Sequence, residues 1–419
     1  MLLEFSVKNY RSISERQTLS LLPVNGKKRG DKNCIKTGSD KIPHLLSSVA
    51  ILGANAAGKS NIIKAMSTFK EIIEQSLRKN PNEELPYYPF LLEKKWNEQE
   101  TEFEIVFMLG KIVYEYGFTY TEKEIKTEYL YSRDTSLQRS QQKKLFERKG
   151  DNFYFNSDLR GQKKVWQDIT RPNTLLLTTA VSLNSEELKV VFDWIDNKLR
   201  IISSVDDIPP FLATDYIKES SEAKKHILDI LKATDLGIDD IKKEQKELSE
   251  SELERLPFIT QNNSKKFYKV DIKTIHKTID TKEEIEFELR KHESKGTSVI
   301  LKLSVPFVDS LKSSAVLIID ELDSFIHPLA LKFLINSFHQ NTHKKAQLIF
   351  TTHNTFVLNN KILERDQVCF VEKDREQKNT TVFKLSDKKG IREQEAFEKN
   401  YLAGNYGAIP MIQEYIEID

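Results

Sequence analysis

The octapeptide Gly53-Ala54-Asn55-Ala56-Ala57-Gly58-Lys59-Ser60 constrains this chain more than any other stretch. It fits the pattern G-x-x-x-x-G-K-[ST] and follows a β-prone apolar run, VAIL at 49–52. After it, Ile62, Ile63, Met66, Phe69, Ile72 and Ile73 recur at helical spacing before Pro81. Strand, glycine-rich loop and helix in that order make a phosphate cradle. The glycines let successive backbone N–H groups face inward at a helix N-terminus, and Lys59 is expected to neutralise the charge of β- and γ-phosphates. Asn55, Ala56, Ala57 and Asn61 complete the stretch assigned to a nucleotide. The Ser60 hydroxyl is the expected magnesium ligand. Such a loop commits its surroundings to an α/β architecture with a buried sheet.

Residues 316–321, Val-Leu-Ile-Ile-Asp-Glu, predict a strand that is apolar on both faces and ends in two adjacent carboxylates. Asp320 is expected to hold magnesium through its hydration shell and Glu321 to polarise an attacking water, since phosphoryl transfer depends on positioning and charge neutralisation. A second apolar run, 346–351, leads into Thr351-Thr352-His353, where the His353 imidazole is placed to donate to a γ-phosphate oxygen. Further strands are expected at 2–7, at 101–120 as a hairpin turning at Gly110, at 125–131, at 153–155 and at 368–371. Between about 186 and 258 the composition shifts to Lys, Glu, Ser and Asp. Ile217, Ala223, Ile227, Ile230 and Leu231 keep helical periodicity there, which predicts a helical insert. Residues 262–266 read as a loop, and Phe267–Ile272 return to β character. The expected division is an N-terminal lobe over 1–185, a helical insert over 186–262 and a C-terminal lobe over 263–419.

Among 419 residues, 64 Lys and Arg against 63 Asp and Glu leave a net charge of +1, so any contact with nucleic acid must be local. A basic cluster, Arg139, Lys143, Lys144, Arg148 and Lys149, is interspersed with Gln and Glu, which favours a solvated hairpin over a nucleic-acid surface. Cys34 and Cys369 lie outside any Cys-x-x-Cys or Cys/His cluster, so neither a disulfide framework nor structural zinc is expected. The opening MLLEFSVKNYRSI carries Glu4, Lys8 and Arg11 and predicts a strand rather than a secretory signal. No stretch approaches the ~20 apolar residues of a membrane span. A cytoplasmic protein with no membrane partner is expected.

Taken together, Gly53–Ser60, Glu293-Ser294-Lys295-Gly296-Thr297, Ile319-Asp320-Glu321-Leu322-Asp323-Ser324 and Thr352-His353-Asn354 resemble ATPase heads of the ABC/SMC type. More narrowly, NYRSI at 9–13, ESKGT, DELDSFIHP at 320–328, AQLIFTTHNT at 346–355, RDQV at 365–368 and YLAGNYGAIP at 401–410 are similar to prokaryotic AAA/ABC ATPases of abortive-infection and anti-phage systems. RloA-like proteins and the AriA ATPase subunit of PARIS systems belong there. The match covers both ends of the chain and is weak between about 190 and 290. The resemblance implies an α/β ABC/SMC-type P-loop head with an N-terminal antiparallel β subdomain and a helical insert. It implies ATP and Mg2+ as ligands, hydrolysis to ADP and phosphate, and a homo-oligomer built from dimers. Ser294 and Gly296 would then contact the γ-phosphate held by the partner copy. ESKGT departs from the usual LSGGQ, which leaves the role of Lys295 open. Asp323, with His327, would belong to a loop coupling two sites, and Arg11 would reach the nucleotide. Without the resemblance, ESKGT is a glycine-interrupted helix start and His327 a surface residue before a helix-opening Pro328. No conventional Q-loop glutamine is apparent, and Gln99 is only a guess. In such systems the ATPase controls a separately encoded effector, a Toprim-type nuclease, in response to a phage-encoded trigger.

An SMC-type DNA-maintenance ATPase shares every one of these nucleotide residues. Such proteins insert hundreds of heptad-patterned residues between their two halves, whereas only about 70 loosely amphipathic ones are available here. No long coiled-coil arm is expected. A fused nuclease is not expected either, because few residues follow His353. The compact helical subdomain and Q-loop of a transport ATPase are not evident.

Overall fold

Strands β5 (Ser48–Leu52), β15 (Val316–Ile319) and β16 (Gln347–Thr351) are buried along their whole lengths in the computed structural model. It describes residues 1–24, 33–139, 141–219, 221–247, 268–392 and 394–410. Runs with no polar face need cover on both sides. They lie in a six-stranded sheet of order β11-β15-β16-β5-β17-β18. In it β11 (Leu199–Ile202), β15, β16, β5 and β17 (Val368–Lys373) run parallel, and β18 (Thr380–Lys384) returns antiparallel at one edge. Parallel alignment carries the C-terminal ends of β5, β16 and β15 to one edge of the sheet, with β16 between the other two.

A seven-stranded antiparallel sheet has the order β10-β9-β8-β7-β6-β1-β2. Its members are β1 (Leu2–Lys8), β2 (Gln17–Ser20), β6 (Thr101–Leu109), β7 (Ile112–Tyr120), β8 (Ile125–Asp134), β9 (Lys143–Lys149) and β10 (Asn152–Phe155). The helix α1 (Lys59–Gln75) packs on both sheets. Ile62, Ile63, Ala65, Met66, Thr68, Phe69, Ile72 and Ile73 are all buried, more than half of its circumference, as befits a helix covered on two sides. Phe69 stacks on Phe118 at 5.6 Å and meets Phe5 edge-on at 5.7 Å, while Lys70 Nζ bonds the carbonyl of Leu199 in β11 at 2.7 Å. Three helices follow β10: α2 (Lys163–Ile169), α3 (Leu176–Ser182) and α4 (Glu186–Lys198). The buried Glu128 of β8 accepts the first backbone N–H groups of α3, from Leu176 at 2.6 Å and Leu177 at 2.9 Å. The small hairpin β3 (Cys34–Lys36) and β4 (His44–Leu46) precedes β5. Gln347, wholly buried, ties these parts together. Its side chain accepts from Leu2 N at 2.6 Å and donates to Leu2 O at 3.0 Å and Leu46 O at 3.2 Å.

The chain divides into two units, one of Met1–Ser203, Ser310–Asp323 and Leu334–Asp419, the other of Ser204–Asp309 and Ser324–Phe333. Both sheets above belong to the first. In the second, α5 (Phe211–Glu219) and α6 (Ser221–Ala233) accompany a three-stranded antiparallel sheet, β12 (Asp240–Glu247), β13 (Tyr268–Lys277) and β14 (Glu284–Glu288). Ala223, Ile227 and Leu231 of α6 and Ile241 and Ile275 of the sheet are buried. Lys273 pairs across strands with Glu244 at 2.9 Å and Glu286 at 3.0 Å.

The stretch 186–262, expected to be helical, is helical in α4, α5 and α6, yet it also supplies β11 and β12. Cross-strand ion pairs give β12, DIKKEQKE, a helix-like charge pattern. The end of that stretch, the loop expected at 262–266 and Phe267 lie outside the described residues. Four of the five residues of the basic cluster have partners: Lys143 pairs with Asp158 at 2.7 Å, and Lys144 and Lys149 pair with Glu147 at 2.9 and 3.2 Å. Arg148 is buried and donates to Thr174 O at 2.6 Å. Among the described residues, no helix is long and apolar enough to cross a membrane.

Replacing Gln347 by Leu keeps the volume but removes three buried hydrogen bonds. It is expected to lower stability by about 2–3 kcal/mol, measured from urea unfolding midpoints at constant m-value.

Candidate functional site

The loop that leaves β5 turns through left-handed backbone at Gly53 (φ 156°), Ala56 (φ 60°) and Gly58 (φ 112°) before α1 begins. Two of its glycines are required by close approach as well. A Cβ on Gly53 would collide with the Val371 carbonyl of β17, and one on Gly58 with the Thr380 and Ser12 hydroxyls. Gly58 offers no side-chain cap to α1, and the first turn of α1 holds no acidic residue, so its N-terminal N–H groups suit an anion. Asn55 and Ala56 are exposed, Ser60 is half-buried, and Ala57 is buried. Lys59 is only 6% exposed, with Nζ donating to Gly53 O and Ala54 O, each at 2.9 Å. Burial pushes its ammonium below the usual lysine range, against the opposing pull of Asp320, Glu321 and Asp323.

Those three carboxylates follow β15. Asp320 is 8% exposed, and one of its oxygens accepts from the Thr351 hydroxyl at the end of β16. The same hydroxyl oxygen accepts the backbone N–H of Glu321 at 2.7 Å. Glu321, exposed, has a left-handed φ of 51°, uncommon for a residue with a side chain. Thr351 therefore holds one acid by its side chain and the other by its backbone. The exposed His353 donates its backbone N–H to Asp323 Oδ2 at 3.2 Å, while Asp323 Oδ1 is buried without a hydrogen-bond partner among the described residues. Lys59, Asp320, Glu321, Asp323 and His353 thus lie at one sheet edge. A donor set of one hydroxyl, Ser60, and one carboxylate, Asp320, suits a magnesium ion that keeps water and phosphate oxygens as its other ligands.

Arg11 sits in a turn whose residues Asn9 and Arg11 both have φ 51°. Its guanidinium lies 4.4 Å from the Tyr88 ring centre, and Nε donates to the Tyr10 hydroxyl at 3.3 Å. Tyr10 in turn donates to the Lys64 carbonyl of α1 at 3.2 Å, so the exposed Arg11 is held beside that helix. Gln99 is exposed and takes part through its backbone carbonyl, which accepts from Asn9 Nδ2 at 2.7 Å. Asn61 donates to the Ser12 hydroxyl at 2.7 Å.

Ser294 and Gly296 belong to the second unit. Ser294 is exposed at the start of the helix Lys295–Ser313, where its hydroxyl accepts the Thr297 backbone N–H at 3.1 Å. Gly296 lacks the Cβ that would crowd the Phe325 carbonyl, and Lys295 lies over the Phe325 ring at 3.5 Å. His327 is exposed and caps the helix Pro328–Gln340, Nδ1 accepting from Leu329 N at 3.3 Å. Ser12 and Thr351 stand inside the quoted stretches NYRSI and AQLIFTTHNT, but nothing in those strings shows what their hydroxyls hold, and Thr380 lies outside every quoted motif.

A family described as "AAA domain, putative AbiEii toxin, Type IV TA system" matches residues 48–359. No match is found among curated proteins. Similar solved structures include the SMC head domain from Thermotoga maritima, 12% identical with a TM-score of 0.41, covering 91% of this chain and 98% of that one. An SmcHead bound to the C-winged helix domain of ScpA is 11% identical with a TM-score of 0.40, covering 91% and 97%. An Smc head with an extended coiled coil, bound to the C-terminal domain of ScpA from Pyrococcus furiosus, is 11% identical with a TM-score of 0.35, covering 92% and 96%.

Thr351→Val keeps the shape and removes the hydroxyl that serves both acids. It is expected to destabilise the chain by about 1–3 kcal/mol in thermal melts, with Thr351→Ser recovering most of the loss.

Proposed function

The chain belongs to the AAA-domain family of the AbiEii-toxin, type IV toxin–antitoxin description, and from that premise we propose that it binds ATP with magnesium and hydrolyses it to ADP and phosphate. The observation that carries this proposal is a buried Lys59 inside a glycine-rich loop, within electrostatic reach of Asp320, Glu321 and Asp323. Backbone N–H groups of the loop 53–61 bind phosphate oxygens, and Lys59 neutralises their charge. Ser60 and Asp320 would hold magnesium, which would supply further neutralisation of phosphate charge. Glu321 takes a proton from the attacking water, and His353 donates to the γ-phosphate. Arg11 is proposed to reach the nucleotide from its fixed place beside α1.

We further propose that two copies pair, with Ser294 and Gly296 of one completing the site of the other. An exposed hydroxyl at the start of a 19-residue helix supports this role. Within this scheme the chain is the sensor subunit of an anti-phage system and controls a separately encoded toxic effector, a Toprim-type nuclease. The motif set and the toxin–antitoxin family support that assignment. The self-paired basic cluster gives no support to nucleic acid as a partner.

Lys59→Ala is expected to abolish ATP binding in calorimetric titration; undiminished binding would refute the site. Glu321→Gln is expected to retain ATP while turnover falls at least about 100-fold, and an unchanged rate would exclude Glu321 as the base. Lys59→Ala and Ser294→Arg proteins, each inactive alone, are expected to recover partial activity when mixed. No recovery at any ratio would mean that each chain holds a complete site. Copurification with the product of the adjacent gene tests the effector assignment.

A further inference from the structure

Both glycines of the loop are crowded from one direction, by the hairpin of β17 and β18. Val371 of β17 stands against Gly53, and Thr380 at the start of β18 stands against Gly58. At Gly58 the contact continues as a chain of hydrogen bonds. Asn61 Nδ2 donates to Ser12 Oγ at 2.7 Å, Ser12 Oγ and Thr380 Oγ1 lie 2.7 Å apart, and Thr380 Oγ1 donates to Ala57 O at 2.8 Å. The Thr380 hydroxyl is the donor in both of its contacts, so its single proton is shared between Ser12 Oγ and the Ala57 carbonyl. Ser12 Oγ therefore accepts from both Thr380 and Asn61.

The relay begins at Asn61 and ends at Ala57, so it brackets Gly58, Lys59 and Ser60 from outside the loop. It is anchored at both middle members. The Thr380 backbone N–H donates to Ser12 O at 2.7 Å, and the buried Asn379 side chain donates to Ser14 Oγ at 3.0 Å. These contacts join three segments that lie far apart in sequence, Ala57 and Thr380 being 323 residues apart.

We infer that Ser12 and Thr380 are positioning residues for the phosphate loop, which they hold in its phosphate-accepting shape before any nucleotide arrives. The inference rests on the ATP-binding reading above for its consequence, and on the relay alone for its structure. A loop fixed in advance loses less freedom on binding, so the relay acts on nucleotide affinity and not on the chemical step.

The test uses the full chain with Thr380→Val, which keeps the shape and loses the hydroxyl, and Thr380→Ser, which keeps the hydroxyl. Ser12→Ala breaks the middle link without touching β18 and replaces Thr380→Val should the latter fail to fold. Titration with magnesium ATP is expected to show affinity weakened about tenfold in Thr380→Val, with KM raised in step, kcat within about twofold, and Thr380→Ser close to wild type. Amide hydrogen exchange of residues 57–61 without nucleotide is expected to be faster in Thr380→Val and near wild type in Thr380→Ser. Wild-type affinity and wild-type exchange in Thr380→Val would overturn the inference, as would a loss confined to kcat. If the wild-type chain bound no ATP, the ATP reading would fail. The exchange data alone would then decide for or against the relay.

Discussion

Burying an ammonium group demands acceptors and counter-charge, and the arrangement around Lys59 follows from that demand. Its Nζ takes the carbonyls of Gly53 and Ala54, which obliges the loop to fold back over its own lysine. The counter-charge has to come from another strand. Only the parallel run of β5, β16 and β15 brings Asp320, Glu321 and Asp323 to the edge from which the loop departs. Even so, burial outweighs their pull, and the ammonium stays less basic than a lysine in water. Thr351 matters for the same reason, since carboxylates that face a buried cation must be held where their charge is useful.

Much of this was legible in the sequence. The octapeptide with its flanking strand and helix, the paired acids after an unbroken apolar run, and the hairpin about Gly110 all appear as read, because each signal is local. What escaped was of two kinds. The strands β12 and β14 are coated with Lys and Glu that pair across the sheet, so their periodicity is one of charge rather than of burial. Positioning side chains such as Thr351, Ser12 and Thr380 act through contacts between remote segments, and even where a motif includes the residue, a one-dimensional string does not show what its hydroxyl will meet. Ser294 and Gly296 were visible as a motif, but the glycine has a local cause that the motif does not show, the nearness of the Phe325 carbonyl.

Left-handed backbone at residues with side chains occurs within several of the motifs. Asn9 and Arg11 in the N-terminal turn, Ala56 in the loop, Glu321 after β15 and Phe325 beyond it all have φ between 51° and 63°. Such conformations cost of order 1–3 kcal/mol each and persist where surrounding contacts over-determine them. Four of the five have such contacts to hand: the Trp96 and Gln99 carbonyls for Asn9, Tyr88 for Arg11, Thr351 for Glu321 and Lys295 for Phe325. Contacts of this kind hold the backbone in place at segments on which the proposed chemistry draws.

The bonds from Gln347 to Leu2 and Leu46 have a consequence for biosynthesis. The partner of Leu46 lies 301 residues downstream, and among the described residues the strand that leads into the glycine-rich loop pairs with β16 and β17. At ~5–20 residues per second, a ribosome needs on the order of tens of seconds to deliver those neighbours. Throughout that interval β5 is a largely apolar ribbon with both edges open, the kind of segment on which chaperones and misassembly compete.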